Sequence, residues 1–83
     1  MTKEVVFKVG NFVTPIVTGN AIGVIYKCDE NDKRPYEVIA LNYNGLPNGE
    51  SKRYAVEELQ KAPAKYREGY PTGKAIIKAY DAL

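Results

Sequence analysis

The sequence predicts one small, mainly β domain: a barrel or sandwich of four or five short strands, followed by a C-terminal helix. The chain has 83 residues, which is the length of a single domain. Runs rich in β-branched and aromatic residues recur between turn signals at intervals of about eight to twelve residues. Only the last segment changes to apolar residues at helical spacing, so the helix is expected at the C-terminal end.

The first half of the chain supplies two extended stretches and the second strand. Residues 4–9 (EVVFKV) have the composition of a strand, and residues 12–17 (FVTPIV) continue in extended form. Pro15 marks an edge or a bend, because proline cannot donate to a strand ladder. Residues 18–20 (TGN) are a turn signal, and residues 21–28 (AIGVIYKC) are predicted to form a strand.

Side chains alternate between the two faces of the strand over 21–28. One face then carries Ile22, Val24, Tyr26 and Cys28, and the other carries Gly23, Ile25 and Lys27. We expect Cys28 to be a buried, inert thiol on the inner face. We expect Ile25 to lie outside the barrel, under a covering element. A glycine inside a strand pattern indicates a bulge or a close backbone approach, and Gly23 is such a residue.

The second half of the chain completes the predicted sheet. Residues 29–35 form a charged loop, and residues 36–43 (YEVIALNY) form the third strand. Two Asn-Gly pairs and a proline predict a long hairpin loop over 44–51, followed by a short fourth strand over 52–56. Residues 57–62 (EELQKA) fit a single helical turn and a short return segment.

The C-terminal segment predicts a helix from Gly73 to Leu83, with Thr72 as its N-cap. Its apolar stripe consists of Ile76, Ala79, Tyr80 and Leu83. A helix of about three turns is marginal alone, so we expect it to dock on the strands over 21–28 and 36–43. The alternative is a helix that detaches and binds a partner.

The glycine-containing stretch before this helix is not a nucleotide-binding loop. Residues 69–74 (GYPTGK) are one residue shorter than the Walker A pattern, and Ala75 stands where a metal-binding hydroxyl is needed. We interpret Gly69 and Pro71 as a turn and Thr72 as the cap of the helix. Weak phosphate binding at the helix N-terminus remains open.

The composition disfavours catalysis. The chain has no histidine and a single cysteine, so Ser-His, Cys-His and cysteine-based metal sites have no residues to build them. Asp29, Glu30 and Asp32 are interpreted as a solvated loop. We therefore expect no enzyme activity, no cofactor and no metal. No apolar run of about 20 residues and no signal-peptide pattern is present, so a cytoplasmic location without membrane association is expected.

Three short motifs give a fold-level resemblance. Gly10-Asn11-Phe12-Val13 opens the pattern, Gly23-Val24-Ile25 continues it, and residues 55–60 (AVEELQ) supply a helical turn before a last strand. In this order they resemble the small SH3-like β-barrel over residues 6–62. Asn11 replaces the usual Asp, and Gly19 lies four residues before Gly23 instead of three. Families with this pattern include KOW and Tudor-like domains, the CarD-type RNA-polymerase-interaction domain and the small stromal subunit of photosystem I.

We therefore expect one domain, with an SH3-like barrel over 1–62 and a linker and C-terminal helix over 63–83, although the last segment belongs to none of these family patterns. SH3-like barrels commonly bind through loops and an aromatic-lined groove. The aromatic residues that could line such a groove, some of which must be core, are Phe12, Tyr26, Tyr36, Tyr43 and Tyr54.

Charge and tyrosine content direct attention to the second half of the chain. The net charge is +2, and residues 51–83 carry seven Lys or Arg against four Asp or Glu. The basic–aromatic segment 52–74 suits either a protein interface or nucleic-acid contact. The predicted partner-binding candidates are Tyr36, Tyr43, Arg53, Tyr54, Lys65, Tyr66, Arg67 and Tyr70.

These observations predict a small non-catalytic binding module. The near-neutral charge favours an unidentified protein partner, as in an accessory or adaptor domain. A nucleic-acid-binding domain that uses 52–74 is the alternative. A third possibility is a self-associating protein that forms a homo-oligomer through an uncovered strand edge. The small size also fits an accessory protein of a mobile element or phage.

Overall fold

A computed structural model describes residues 7–18 and 21–83, except for the side chain of Tyr66. Five antiparallel strands form one open sheet in the order β4-β3-β2-β1-β5. Their bounds are β1 Phe12–Pro15, β2 Gly23–Cys28, β3 Tyr36–Leu41, β4 Pro47–Tyr54 and β5 Leu59–Lys61. The 3₁₀ turns Val56–Glu58 and Ala64–Arg67 and the helix α1, Gly73–Asp81, complete the chain. The prediction of a mainly β domain with a C-terminal helix is confirmed.

The predicted first strand over 4–9 is wrong for its described part. Residues 4–6 lie outside the described residues, and residues 7–10 lead into a tight turn instead of a strand. The Asn11 amide donates to the Lys8 carbonyl, and the Asn11 side-chain oxygen accepts from the Lys8 amide. These two local hydrogen bonds offer the backbone an alternative to a strand ladder. The predicted turn over 18–20 is described only at Thr18, whose amide donates to the Pro15 carbonyl.

The β3–β4 hairpin has a shorter loop than predicted. The Asn42 amide donates to the Leu46 carbonyl, and β4 already begins at Pro47 instead of Lys52. The pairing slips between Ile39 and Leu41, so the second Asn-Gly pair lies in a bulge of the strand. Gly49 has φ +91 there, a value that glycine adopts without steric cost. A bulge therefore accommodates the turn-like residues that predicted a long loop over 44–51.

The two faces of the sheet bury different residues. The main core cluster consists of Phe7, Val13, Ile25, Tyr36, Val38 and Leu59. Ile25 pairs with Val38 in this cluster, so the prediction that Ile25 lies outside the barrel is wrong. Val24 pairs with Ile39 on the opposite face, and both are fully buried. Alternation identifies the two sets of side chains, but it does not say which set faces the core.

A bulge at Tyr26 explains why Cys28 is exposed. The β2–β3 register shifts between Ile25 and Lys27, so Tyr26 is an extra residue in β2. The strand leaves the core beyond this point, and the predicted buried thiol of Cys28 is exposed to solvent. Gly23 has the predicted close approach, because a Cβ there would overlap the Val38 side chain.

Helix α1 docks on the sheet and contacts β2 and β4. The Thr72 hydroxyl accepts a hydrogen bond from the Ala75 amide, which confirms the predicted N-cap. Ile76 is fully buried, whereas Leu83 at the end of the predicted stripe is largely exposed. The helix begins against the turn before β1, because Gly73 lies directly on the Gly10 carbonyl. None of the helices in residues 7–18 and 21–83 is long and apolar enough to cross a membrane.

Candidate functional site

A groove with a volume of about 390 Å³ lies between the end of β1 and the edge strand β4. The end of β1 and the residues that follow it form one wall, and β4 with the first 3₁₀ turn forms the other. The lining residues are Pro15, Ile16, Val17, Thr18, Arg34, Lys52, Arg53, Tyr54, Glu57 and Glu58. The groove exists because β4 and β5, the two edge strands, do not pair with each other.

The first wall presents apolar side chains to solvent. Val17 is 96% exposed and Ile16 is 53% exposed. The Ile16 amide donates to the Glu58 carbonyl, and the Thr18 amide and hydroxyl both donate to the Pro15 carbonyl. These bonds fix the backbone beside Val17, although its side chain has little contact with the protein. Exposed apolar area held in place in this way is typical of a contact surface.

The second wall combines an aromatic ring with a cation. Tyr54 pairs with Tyr36 and Lys52 pairs with Val38, so both side chains lie on the face of the main core cluster. Tyr54 packs partly against that cluster and stays half-exposed toward the groove. The Lys52 ammonium lies 5.9 Å from the centre of the Tyr54 ring. The wall can therefore contact both an apolar group and an anion.

The two arginines at the end of the groove each form an ion pair with a carboxylate. Arg34 Nε lies 3.5 Å from Glu58 Oε1, and Arg53 Nη2 lies 3.4 Å from Asp32 Oδ2. Arg53 Nε also donates to the Arg34 carbonyl over 3.0 Å. In the described part of the chain, no carboxylate lies within ion-pair distance of Lys52. Lys52 is therefore the cation of this groove that is available to a ligand.

The sequence candidates do not form a single surface. Arg53 and Tyr54 line the groove, whereas Tyr43 and Tyr70 line a second cavity of about 420 Å³ with Ile22 and Leu41. Tyr43 is fully exposed in the β3–β4 turn. Tyr54 lies at the opposite end of the β3–β4 hairpin, about 20 Å away at the rise of an extended strand.

The remaining candidates have structural contacts or lie elsewhere. Tyr36 is buried in the core, and its hydroxyl accepts a hydrogen bond from the Phe7 amide. The Arg67 guanidinium lies 4.9 Å from the centre of the Phe12 ring, and Tyr70 also packs on that ring. These contacts hold the segment before α1 against β1. Lys65 is exposed, and the side chain of Tyr66 lies outside the described part of the structure.

Sequence reasoning missed Ile16 and Val17, the most exposed apolar residues of the groove. The available signal was Pro15, which was interpreted as an edge or a bend. Pro15 is the last residue of β1, and an apolar pair directly after the end of a strand can remain uncovered.

Tyr26 connects β2 to the end of α1. Its ring packs edge-to-face on Tyr80 with 5.0 Å between centres, and its hydroxyl donates a hydrogen bond to the Asp81 carboxylate. This hydrogen bond is the main cause that raises the pKa of Tyr26 above its usual value. A carboxylate acceptor stabilises the protonated phenol relative to the phenolate.

The Asp81→Asn substitution is expected to lower the pKa of Tyr26 toward the ordinary tyrosine value. Because folding raises this pKa, the stabilisation from the hydrogen bond is present below about pH 10 and is lost as pH rises through the folded pKa. Ultraviolet titration of the tyrosines measures the shift, and Tyr26→Phe identifies the step that belongs to Tyr26. An unchanged titration in Asp81→Asn would contradict the assignment.

No family model, no curated protein and no solved structure matches this chain.

Proposed function

We propose that this protein is a non-catalytic binding module that holds a segment of a partner protein in the groove between Val17 and Tyr54. One observation carries the proposal: Val17 is 96% exposed on a wall whose backbone is fixed by hydrogen bonds. Leaving a valine in water forgoes roughly 2 kcal/mol of burial free energy, which a ligand recovers when it covers the side chain. Across the groove lie the Tyr54 ring and the Lys52 ammonium, which has no carboxylate within ion-pair distance among the described residues.

The order of the elements supports a role in binding. Five antiparallel strands in one open sheet, with a 3₁₀ turn before a short last strand, are compatible with the SH3-like resemblance. In that fold, loops and an aromatic-lined groove bind ligands. The groove of this chain lies between the end of β1 and the 3₁₀ turn, and it contains Tyr54 as its aromatic residue. Fold analogy alone does not identify a ligand, so the proposal depends on the side chains of the groove.

Selection from a random-peptide display library tests this function directly. We expect the wild-type protein to enrich peptides that carry apolar or aromatic residues. Val17→Asp should abolish the enrichment, because it places a carboxylate where an apolar contact is needed. Val9→Asp is the matched control, since Val9 is 55% exposed and does not line the groove. Equal enrichment by Val17→Asp and the wild type would contradict the proposal.

Nucleic acid is the second candidate ligand. Lys52 lies beside the ring of Tyr54, and Arg67 lies over the ring of Phe12, so cations accompany aromatic faces in the basic–aromatic segment. The Arg67 contact holds the segment before α1 against β1, so this cation has a structural role, which favours the first proposal.

An amide-shift titration with single-stranded and duplex oligonucleotides, at low and at physiological salt, separates the two candidates. We expect no salt-dependent shifts, because Arg53 is already paired with Asp32 and Arg67 packs on the Phe12 ring. Shifts over residues 52–74 that fade as salt rises, and that Arg53→Ala or Arg67→Ala weakens, would replace the protein-binding proposal with nucleic-acid binding.

A further inference from the structure

The edge strand β4 borders the proposed groove and pairs only with β3 in the described part of the sheet. Its register with β3 is regular from Ser51 to Tyr54, where it pairs with residues 36–39. An edge strand presents unpaired amide and carbonyl groups along its free side. The bulge around Gly49 ends this regular stretch, so the free edge offers about four residues for pairing.

Two side chains of this stretch share one face of β4 and would lie beside the side chains of a neighbouring strand. Lys52 and Tyr54 lie on the face of the main core cluster, whereas Arg53 pairs with Glu37 on the opposite face and contacts Asp32 at the end of the groove. In an antiparallel pair, directly opposite side chains interact most strongly. A strand added to β4 would therefore place one side chain against Lys52 and another, two residues away, against Tyr54. The second side chain would also reach the wall formed by Ile16 and Val17.

A second copy of the chain is a poor occupant of this edge. Antiparallel self-pairing about Lys52 would place two lysines opposite each other, and self-pairing about Arg53 would place two arginines opposite each other. Like charges in these positions destabilise a strand pair. A two-fold axis at Ser51 would set Glu50 against Lys52, but it would also require regular pairing at Gly49, where the strand is bulged. The charge pattern favours a partner strand that carries a carboxylate.

We infer that the ligand is an extended segment that adds to β4 as an antiparallel strand, with an apolar residue opposite Tyr54 and an acidic residue opposite Lys52. Because the strands run in opposite directions, the apolar residue comes two positions before the acidic residue. Glu57 lies beyond Tyr54 at the other end of the groove and disfavours an acidic residue there. This inference rests on the proposed function, and it adds the binding mode and the ligand pattern.

The charge requirement can be tested with labelled peptides and the full chain. The probe is a fluorescein-labelled heptapeptide, Ser-Thr-Leu-Thr-Glu-Thr-Ser, and its counterpart has lysine in place of glutamate. We expect the wild-type protein to bind the glutamate probe about fivefold more tightly in fluorescence anisotropy. Lys52→Glu should reverse this preference. Lys61→Glu, which makes the same charge change on the exposed residue that ends β5, should keep it.

The strand geometry can be tested by methylating the backbone of the probe. Alternate amides of a strand point to the same neighbour, so methylation of Leu and Glu together should differ strongly from methylation of the flanking threonines. One of the two methylated probes should lose binding by about tenfold or more, and the other should bind like the parent. A peptide held only by its side chains would show no such alternation.

Each result has a defined meaning. No binding of the glutamate probe, an unreversed preference in Lys52→Glu, or equal effects of the two methylation patterns would overturn the strand-addition inference. Val17-dependent peptides from the display experiment would still support the proposed function in that case. A probe that binds Val17→Asp as well as the wild type would contradict the proposed function itself. If sedimentation shows a dimer and Lys52→Glu changes its dissociation constant, the strand that adds to β4 belongs to a second copy of the chain and not to a peptide ligand.

Discussion

Replacing Gly73 by alanine should separate helix α1 from the sheet and destabilise the protein by about 3 kcal/mol. A Cβ atom at this position would overlap the carbonyl oxygen and the carbonyl carbon of Gly10. The obstacle is backbone and not a flexible side chain, so the helix must move as a unit. In an isolated helix the same change would be favourable, because alanine is a better helix former than glycine. The sign of the effect therefore reports on docking.

Urea unfolding measures this loss of stability, and Lys74→Ala is the matched control. Lys74 is exposed in the first turn of α1, so its replacement should change the free energy of unfolding by less than about 0.5 kcal/mol. Movement of the helix would also disturb the contact between Tyr26 and Tyr80, which near-ultraviolet circular dichroism detects. Wild-type stability in Gly73→Ala would show that α1 does not begin against the Gly10 carbonyl.

Ile25→Ala should lower the free energy of unfolding by about 3 kcal/mol, within the range measured for large-to-small changes in cores. Ile25 is fully buried in the main cluster, paired with Val38. Removing most of its side chain forgoes the transfer free energy and leaves a cavity. A protein of this length has a total stability of roughly 4–12 kcal/mol, so the loss is a large fraction of the whole.

Ile16→Ala is the control for this second change, because Ile16 is 53% exposed and lies on the groove wall. We expect it to cost less than about 1 kcal/mol in unfolding experiments. Similar losses in Ile25→Ala and Ile16→Ala would show that β2 does not present Ile25 to the core.

Local signals predicted the order of β1 to β5 and α1, but they also predicted a strand over 4–9 whose described part leads into a turn. The alternation of β-branched residues predicted most of β2 and β3, and the sequence AVEELQ predicted the 3₁₀ turn and β5. Thr72 predicted the start of α1, because its hydroxyl satisfies a backbone amide whatever the rest of the fold. These features depend on residues close in sequence, which is why a single sequence contains them.

Features that depend on distant partners were not predictable in the same way. The faces of β2 were assigned in reverse, because the helix that contacts β2 lies about fifty residues further along the chain. The bulge at Tyr26 accompanies the exposure of Cys28, and the bulge at Gly49 allows β4 to begin earlier than predicted. A bulge results from pairing between strands, and the residues of one strand do not determine it alone.

The candidate site shows the same division. Arg53 and Tyr54 were selected for their residue type, and the structure places them at the groove. Tyr36 shares that residue type but belongs to the core, since a tyrosine in a strand can face either way. Ile16 and Val17 were not selected, because exposed apolar residues cannot be distinguished from core residues until the neighbouring elements are placed.

The most direct test of the binding groove is an amide chemical-shift map of the full protein during titration with a peptide from the display selection. We expect the largest shifts at Val17 and over residues 51–54, with little change at Tyr43 and Tyr70. The largest shifts at Tyr43, Tyr70 and Leu41 would place the ligand in the second cavity instead. That result would show that the groove between β1 and β4 is not the binding site.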